Sequence, residues 1–129
     1  MSGLVLLVED DAANQRVIEA TIRAMGHRVE SVPDGQAALD ALADLAPDLI
    51  LLDWRTPRLS GAAALAALRA VTPAPIVVVS AFSGPEQLRE IDAAGPDGFL
   101  GKPFRLEAMH ELVARWLTDR PADTLPDPD

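Results

Sequence analysis

Short runs of aliphatic residues recur along the chain, and segments with helical spacing separate them. The stretches "LVLLV" at 4–8, "LILL" at 49–52 and "IVVV" at 76–79 are apolar at every position. Strands of this kind are typical of a parallel sheet that is covered on both faces. Parallel strands need crossover connections, which helices on the faces of the sheet supply. The alternation therefore predicts an α/β fold with a parallel sheet between layers of helices.

Ten elements are predicted from hydrophobic periodicity and from the positions of glycine and proline. Gly26 is expected to end the first helix, and Pro85 suits the first position of the fourth. The first helix is predicted from apolar residues at helical spacing, namely Ala13, Val17, Ala20 and Ala24. The predicted strands are 4–8, 27–32, 48–52, 75–80 and 97–101, and the predicted helices are 12–25, 34–45, 62–70, 85–94 and 104–118.

Length and composition indicate one domain followed by a tail. The chain has 129 residues, of which 49% are hydrophobic, and a mean hydropathy of +0.13, so it can bury a core. We predict a single domain over residues 1–118. The final stretch, "DRPADTLPDPD", is polar and rich in proline. Residues 119–129 are therefore predicted to be a disordered C-terminal tail.

The charge balance and the lack of cysteine disfavour several classes of protein. A formal net charge of -9 argues against nucleic acid or an anionic membrane as a direct partner, because phosphate groups select for lysine and arginine. No apolar run approaches the ~20 residues of a membrane span, and the N-terminus lacks the basic segment of a signal peptide. With no cysteine, disulfides and thiolate metal sites are excluded, which fits a cytoplasmic protein.

Acidic residues follow two of the predicted strands at the point where each strand ends. Glu9 and Asp10 come after the first strand, and Asp53 comes after the third. In open parallel sheets the ligand site lies beyond the carboxyl ends of the strands. If the first and third strands are neighbours, the three carboxylates converge and repel one another. A hard cation relieves this repulsion, and Mg2+ prefers one or two carboxylates with waters and a phosphate oxygen.

Two further strand ends carry groups that suit a phosphoryl ligand. Ser80 ends the fourth strand, and its hydroxyl can donate a hydrogen bond to a phosphoryl oxygen. Lys102 follows the fifth strand and can neutralise another oxygen. A carboxylate is a competent nucleophile that forms aspartyl phosphates. The set therefore indicates phosphoryl transfer to Asp53.

The motifs that carry these residues resemble the receiver domain of two-component response regulators over roughly residues 3–118. They are "LLVEDD", "LLDWRTPRLSG", "VVVSA" and "GFLGKPF", and each follows its own predicted strand in the expected order. The resemblance implies a flavodoxin-like (βα)5 doubly wound sheet with the strand order 2-1-3-4-5. It also implies an acceptor that assists its own Mg2+-dependent phosphorylation and dephosphorylation, and that is not itself an enzyme.

The resemblance assigns a role to each site residue. Asp53 is the phosphoacceptor, and Asp10 and Asp53 bind Mg2+ directly. Glu9 acts mainly through water, and the backbone carbonyl of Arg55 completes the protein ligands. Lys102 contacts the phosphoryl group.

A second pair of residues is expected to act as a switch. Ser80 is the switch hydroxyl, and Phe99 takes the place of the switch aromatic. Movement of Ser80 would let the ring of Phe99 turn inward and change the surface of the fourth helix, fifth strand and fifth helix. Arg55 is a cation two residues from the acceptor that could alter the lifetime of the acyl phosphate in either direction.

The partners that the resemblance implies are proteins. The donor would be a histidine kinase or a histidine phosphotransfer domain, and a downstream protein target and a phosphorylation-dependent homodimer stay open. The start of the first helix is similar to receivers of hybrid histidine kinases. The exposed residues of that helix, expected to dock the donor, are Gln15, Arg16, Glu19 and Arg23.

Structural alternatives stay open for single residues. Glu9 and Asp10 could be acidic residues at a helix start, and Asp11 is expected to be the N-cap. Asp53 could be a turn residue, and Ser80 could be an ordinary serine at a strand end. Lys102 could be a solvated surface lysine, and Phe99 could be a core aromatic. Other single residues have simpler roles. Trp54 is interpreted as a half-exposed gate or contact surface, and Trp116 as packing on the last helix. His27 and His110 are expected to be structural or exposed.

Three other functions make different demands on the same residues. A haloacid-dehalogenase-like phosphatase needs a second aspartate where this chain has Arg55. A flavodoxin needs a phosphate loop after the first strand, where Glu9 and Asp10 would repel the cofactor phosphate. The remaining alternative is a receiver-like protein-interaction module that is not phosphorylated.

Overall fold

The computed structural model describes residues 3–81 and 84–117. The tail predicted at 119–129 and the last residue of the predicted fifth helix lie outside the described residues. The strands are β1 (Leu4–Val8), β2 (Arg28–Val32), β3 (Leu49–Asp53), β4 (Ile76–Ala81) and β5 (Gly98–Lys102). The helices are α1 (Ala12–Ala24), α2 (Gly35–Ala41), α3 (Gly61–Arg69), α4 (Pro85–Ala94) and α5 (Leu106–Leu117).

The five strands form one parallel sheet in the order β2-β1-β3-β4-β5, which confirms the predicted fold class and strand order. Val8 pairs with Leu52, so Glu9 and Asp53 follow at the same level of neighbouring strands. Ala81 pairs with Lys102, which brings the ends of β4 and β5 to the same edge. The register therefore gathers the polar strand ends at one edge of the sheet.

Alternate residues of the central strands enter two separate core layers. One layer packs β-strand residues such as Leu7 and Leu51 against α1 and α5. The other packs residues such as Leu6 and Leu52 against α2 and α3. Because both sides of β1, β3 and β4 are buried, these strands have no polar alternation, as the sequence indicated. Trp116 packs against the first layer, as predicted.

The burial of Trp54 differs from the one predicted from the sequence. Trp54 was expected to be half-exposed, but it is only 4% exposed and packs with Val78 and Ile91. Successive side chains of a strand point to opposite faces, and this alternation continues one residue beyond β3. Trp54 therefore lies on the same face as Leu52, beneath α4. It is a core residue adjacent to Asp53.

Two helices also differ from the prediction. In α1 the residues that contact the core are Ile18 and Ile22, whereas the apolar residues used to predict the helix lie partly or fully in solvent. The helix α2 ends at Ala41 because the chain continues in short-range turn bonds such as Asp44 N–H to the Ala41 carbonyl. Two caps agree with the prediction: Asp11 accepts from Asn14 N–H, and Pro85 begins α4.

The loop after β3 is fastened to the start of α2. Arg58 Nε lies 3.0 Å from Asp34 Oδ2, and the Asp34 side chain also caps α2 by accepting from Ala37 N–H. These contacts, the backbone bond first and then Arg58, hold the pKa of Asp34 below its usual value. Gly35 N–H donates to the Arg58 carbonyl at 3.1 Å. The loop that follows Asp53 is thus anchored at its far end.

No helix within the described ranges is long and apolar enough to span a bilayer. His27 is buried, where its Nδ1 accepts from Gly3 N–H at 2.9 Å, and His110 is exposed. These placements agree with the structural and exposed roles expected of the two histidines.

We predict that Gly35→Ala destabilises the protein by disturbing the contact between the start of α2 and the loop after β3. A Cβ at Gly35 would lie 2.1 Å from the Leu59 carbonyl oxygen, and a backbone atom held on both sides cannot move aside without shifting the loop. We expect the free energy of unfolding in urea to fall by about 1–3 kcal/mol. The matched control is Gly101→Ala, where the nearest atom lies at 3.7 Å and little change is expected. Equal losses in the two variants would contradict the account.

Candidate functional site

Three carboxylates converge beyond the carboxyl ends of β1 and β3. One oxygen from each of Glu9, Asp10 and Asp53 lies within 4.8 Å of the others. Glu9 is 1% exposed and Asp53 is 7% exposed, while Asp10 faces solvent. The predicted convergence is therefore present, and the group combines two buried charges with one that water can reach.

Lys102 is the cation of this group. Its Nζ lies 2.8 Å from Glu9 Oε1 and 3.4 Å from Asp53 Oδ2, and its side chain is only 16% exposed. Burial would lower the pKa of Lys102, but the bond to Glu9 and the charge of Asp53 outweigh burial and raise it. Lys102 is thus a charged, mostly buried member of the site, and not a solvated surface lysine.

The surroundings of Asp53 make its ionised form less favourable than it would be in water. Burial raises the pKa of Asp53 to about 6, and Glu9 adds to this effect, while Lys102 and the Arg55 N–H oppose it. Burial and the neighbouring charge of Glu9 together outweigh the lysine, so Asp53 keeps its proton to a higher pH than an exposed aspartate does. A second positive charge close to the oxygens would lower the pKa of Asp53 again.

Backbone groups orient the two buried carboxylates. Arg55 N–H donates to Asp53 Oδ1 at 3.2 Å, and Asp11 N–H donates to Glu9 Oε2 at 3.2 Å. Both oxygens of Glu9 therefore have a partner, because Lys102 occupies Oε1. Both oxygens of Asp53 also have a partner, because Lys102 lies 3.4 Å from Oδ2, and Asp10 is the carboxylate that faces solvent.

This donor set fits Mg2+. It offers oxygen ligands only, with excess negative charge and with solvent access on the side of Asp10, where a hydrated cation could keep several waters. The fit holds for the three carboxylates as a group.

Ser80 lies at the edge of this site but is directed to other partners. It is 2% exposed, and its Oγ donates weakly to the Ala81 carbonyl at 3.4 Å. Gln87 Nε2 donates to Ser80 Oγ at 3.4 Å and to the Ala81 carbonyl at 2.8 Å. The hydroxyl is thus part of a small network that extends to α4.

Gln87 was not identified from the sequence. It is buried on α4, where its Oε1 accepts from Arg55 Nε at 3.2 Å. A signal was present, since Gln87 precedes Ile91 by one helical turn and so shares its inward face. A polar residue on an apolar face indicates a buried hydrogen-bonding partner, although only the fold shows which one.

Phe99 lies on the outer part of β5. It is 40% exposed and lines a groove of about 520 Å3 with Leu88, Ile91 and Pro96. The alternative that it is a core aromatic is therefore wrong for this structure. The ring lies outside the core, with space beside it.

Comparison with known proteins gives consistent matches. A family model described as "Response regulator receiver domain" matches residues 5–114. Response regulator MprA from Mycobacterium bovis is 39% identical over 117 residues, covering 89% of this chain and 49% of the relative. Sensor histidine kinase AruS from Pseudomonas aeruginosa is 35% identical over 123 residues, covering 92% of this chain and 12% of the relative. The chain thus spans at most about half the length of these relatives.

A solved structure matches over nearly its whole length. The receiver domain of the sensor histidine kinase PA1611 from Pseudomonas aeruginosa superposes with a TM-score of 0.80 and 34% identity, covering 90% of this chain and 98% of that one. That structure contains a magnesium ion coordinated in its active site cleft.

The raised pKa of Asp53 predicts a pH-dependent difference in stability between the wild type and Asp53→Asn without divalent cations. Between 3.8 and about 6 the folded state keeps a proton that the unfolded state has lost, so wild-type stability falls as pH rises through this window. The free energy of unfolding of Asp53→Asn, taken relative to that of the wild type, should therefore rise by up to about 3 kcal/mol from acidic to neutral pH.

The measurement is urea unfolding of both proteins in chelator across this pH range. Added Mg2+ should then stabilise the wild type above the upper end of the window and leave Asp53→Asn nearly unchanged. A difference between the two proteins that is independent of pH would contradict the account.

Proposed function

The chain belongs to the response regulator receiver domain family, and from this premise we propose that it accepts a phosphoryl group from a phosphohistidine onto Asp53. The observation that carries the proposal is the group formed by Asp53, Lys102 and the two neighbouring carboxylates at one sheet edge. The family places the chain in two-component signalling. The residue roles below are our assignment.

The proposed reaction moves one phosphoryl group between two side chains. An Asp53 oxygen attacks the phosphorus atom of the donor phosphohistidine. The P–N bond breaks as the P–O bond forms, and the released imidazole takes up a proton from water. Lys102 is 3.4 Å from Asp53 Oδ2, so its ammonium group can neutralise a phosphoryl oxygen as negative charge gathers there.

The proposed metal ligands are the carboxylates of Asp10 and Asp53 and the backbone carbonyl of Arg55, with Glu9 acting through water. Bound Mg2+ would neutralise oxygens of the transferring phosphoryl group and align it with Asp53. A bound cation would also offset the burial and the charge of Glu9 that raise the pKa of Asp53, and so favour the ionised acceptor. These residues hold the acceptor in place before the donor arrives.

The proposed output is a change in surface at α4, β5 and α5. Ser80 would turn its hydroxyl to the phosphoryl group, and the exposed ring of Phe99 would move inward. Phosphorylation then stabilises one of two existing arrangements. A downstream protein or a second copy of the chain would bind this surface. The ring of Phe99 and the groove beside it belong to this surface, since the groove is lined by residues of α4 and β5.

The proposed donor is a histidine kinase or a histidine phosphotransfer domain that docks on α1. Val17 is 45% exposed and Leu106 is 55% exposed, and both line a shallow groove that reaches Lys102. Arg16 and Arg23 are exposed, although Arg23 forms an ion pair with Glu19 at 3.4 Å, whereas Gln15 and Glu19 are partly buried and bonded within the chain. Arg16 and Arg23 therefore suit recognition better than the other two.

The proposed protein is a cytoplasmic acceptor that assists its own phosphorylation and dephosphorylation, and not an enzyme that turns over a separate substrate. The second candidate is an interaction module that is never phosphorylated. The exposed apolar residues Val17 and Leu106 fit either function, but only the first needs a buried acceptor with a raised pKa beside a buried lysine.

The proposed function predicts one phosphoryl adduct on incubation with Mg2+ and acetyl phosphate, measured as intact mass. Chelator and Asp53→Asn should each abolish the adduct, because each removes a required part of the site. Lys102→Ala should slow its formation on the order of 10²-fold, since it removes the group that neutralises the phosphoryl oxygen.

Asp44→Asn is the matched control, because Asp44 is an exposed carboxylate in the turn after α2, at the opposite end of the sheet. The Asp44→Asn variant should form the phosphoryl adduct at the wild-type rate. Failure of the wild type to gain mass would favour the interaction module, and an adduct that persists in Asp53→Asn would contradict the assignment of the acceptor.

A further inference from the structure

A chain of hydrogen bonds joins the proposed acceptor to α4 through Gln87. Arg55 N–H donates to Asp53 Oδ1 at 3.2 Å, and Arg55 Nε donates to Gln87 Oε1 at the same distance. Gln87 Nε2 then donates to Ser80 Oγ and to the Ala81 carbonyl. One residue, Gln87, thus contacts both the loop that follows the acceptor and the switch hydroxyl.

The orientation of the Gln87 amide is determined by its partners. A guanidinium can only donate, so the oxygen of the amide must face Arg55. A carbonyl can only accept, so the amide nitrogen must face Ala81. Gln87 is 7% exposed, and water therefore cannot easily replace these partners. The amide is held in one orientation with each end engaged.

Resting Ser80 shares its acceptor with Gln87. The Ser80 hydroxyl donates to the Ala81 carbonyl, the same oxygen that accepts from Gln87 Nε2. To donate to a phosphoryl group on Asp53, the hydroxyl must leave that carbonyl. The contact from Gln87 to Ser80 Oγ opposes this departure, because it fixes the oxygen in its present position.

We propose that Gln87 is a positioning residue that holds the switch hydroxyl of Ser80 in its resting orientation and is itself oriented by Arg55. The inference rests on the proposed function, since it concerns the hydroxyl that would engage the phosphoryl group. When Ser80 turns toward Asp53, Gln87 loses one partner. Its helix carries Ile91, which packs on Trp54 and lines the groove beside Phe99, so the change would reach the α4 surface through this helix.

The test compares Gln87→Met, which keeps the length of the side chain and removes both hydrogen-bonding ends, with the wild type. If the contact restrains Ser80, its loss should speed the formation of the acetyl phosphate adduct about fivefold, the effect of one net hydrogen bond. In a Ser80→Ala background the same substitution should have no effect, because the restrained group is absent. Glu90→Met is the matched control on an exposed site of α4 and should leave the rate unchanged.

A slower or unchanged rate in Gln87→Met would overturn the inference, as would an equal acceleration with and without the Ser80 hydroxyl. The second result would indicate a general loosening of α4 and no specific restraint. Absence of any adduct in the wild type is a different result, because it would contradict the proposed function.

A spectroscopic measurement tests the inference without phosphorylation. The side-chain amide resonances of Gln87, identified by their loss in Gln87→Met, should shift in Ser80→Ala and in Arg55→Gln in metal-free protein. They should shift again when beryllofluoride, a phosphoryl mimic, binds with Mg2+. Resonances that are unaffected by both substitutions would overturn the proposed contacts.

Discussion

The burial of two carboxylates beside a third at one sheet edge is the constraint on which the rest of the site depends. Glu9 and Asp53 are buried and share Lys102, and Asp10 is close enough to add its charge. A sheet gains nothing in stability from this arrangement, because one lysine cannot balance three charges. The arrangement is favourable only when a cation or a proton joins it. The uncompensated negative charge around Asp53 therefore suits this edge to a cation and, under the proposed function, to a phosphoryl group held by that cation.

Much of the fold was predictable because buried parallel strands are apolar at every position. The strand ends, and hence the shared edge of Glu9, Asp53 and Lys102, followed from that pattern. The adjacency of β1 and β3 did not, since periodicity says nothing about strand order, and it came from the family resemblance. Trp54 was misplaced because the strand alternation was not continued past Asp53. The partners of Gln87 could not be predicted, because hydrogen bonds between distant segments depend on the packed structure.

The site is connected to its surroundings on two sides. The Arg58–Asp34 ion pair and the contact at Gly35 anchor the loop after β3 to α2, away from the switch. On the other side, Arg55 and Gln87 connect that loop to α4. The same loop thus has one anchored end and one end joined to a group that must move. If the proposed function holds, this division would let a local change at Asp53 reach α4 while the far end of the loop remains in place.

The most direct test of the central claim is a calorimetric titration of Mg2+ into the chain at neutral pH, before any phosphodonor is added. The account predicts saturable binding of one ion per chain, strongly weakened in Asp10→Asn and in Asp53→Asn and unchanged in Asp44→Asn. Such a result would show that the converging carboxylates hold the cation that their repulsion requires. The absence of saturable binding, or equal binding by all the variants, would contradict the account.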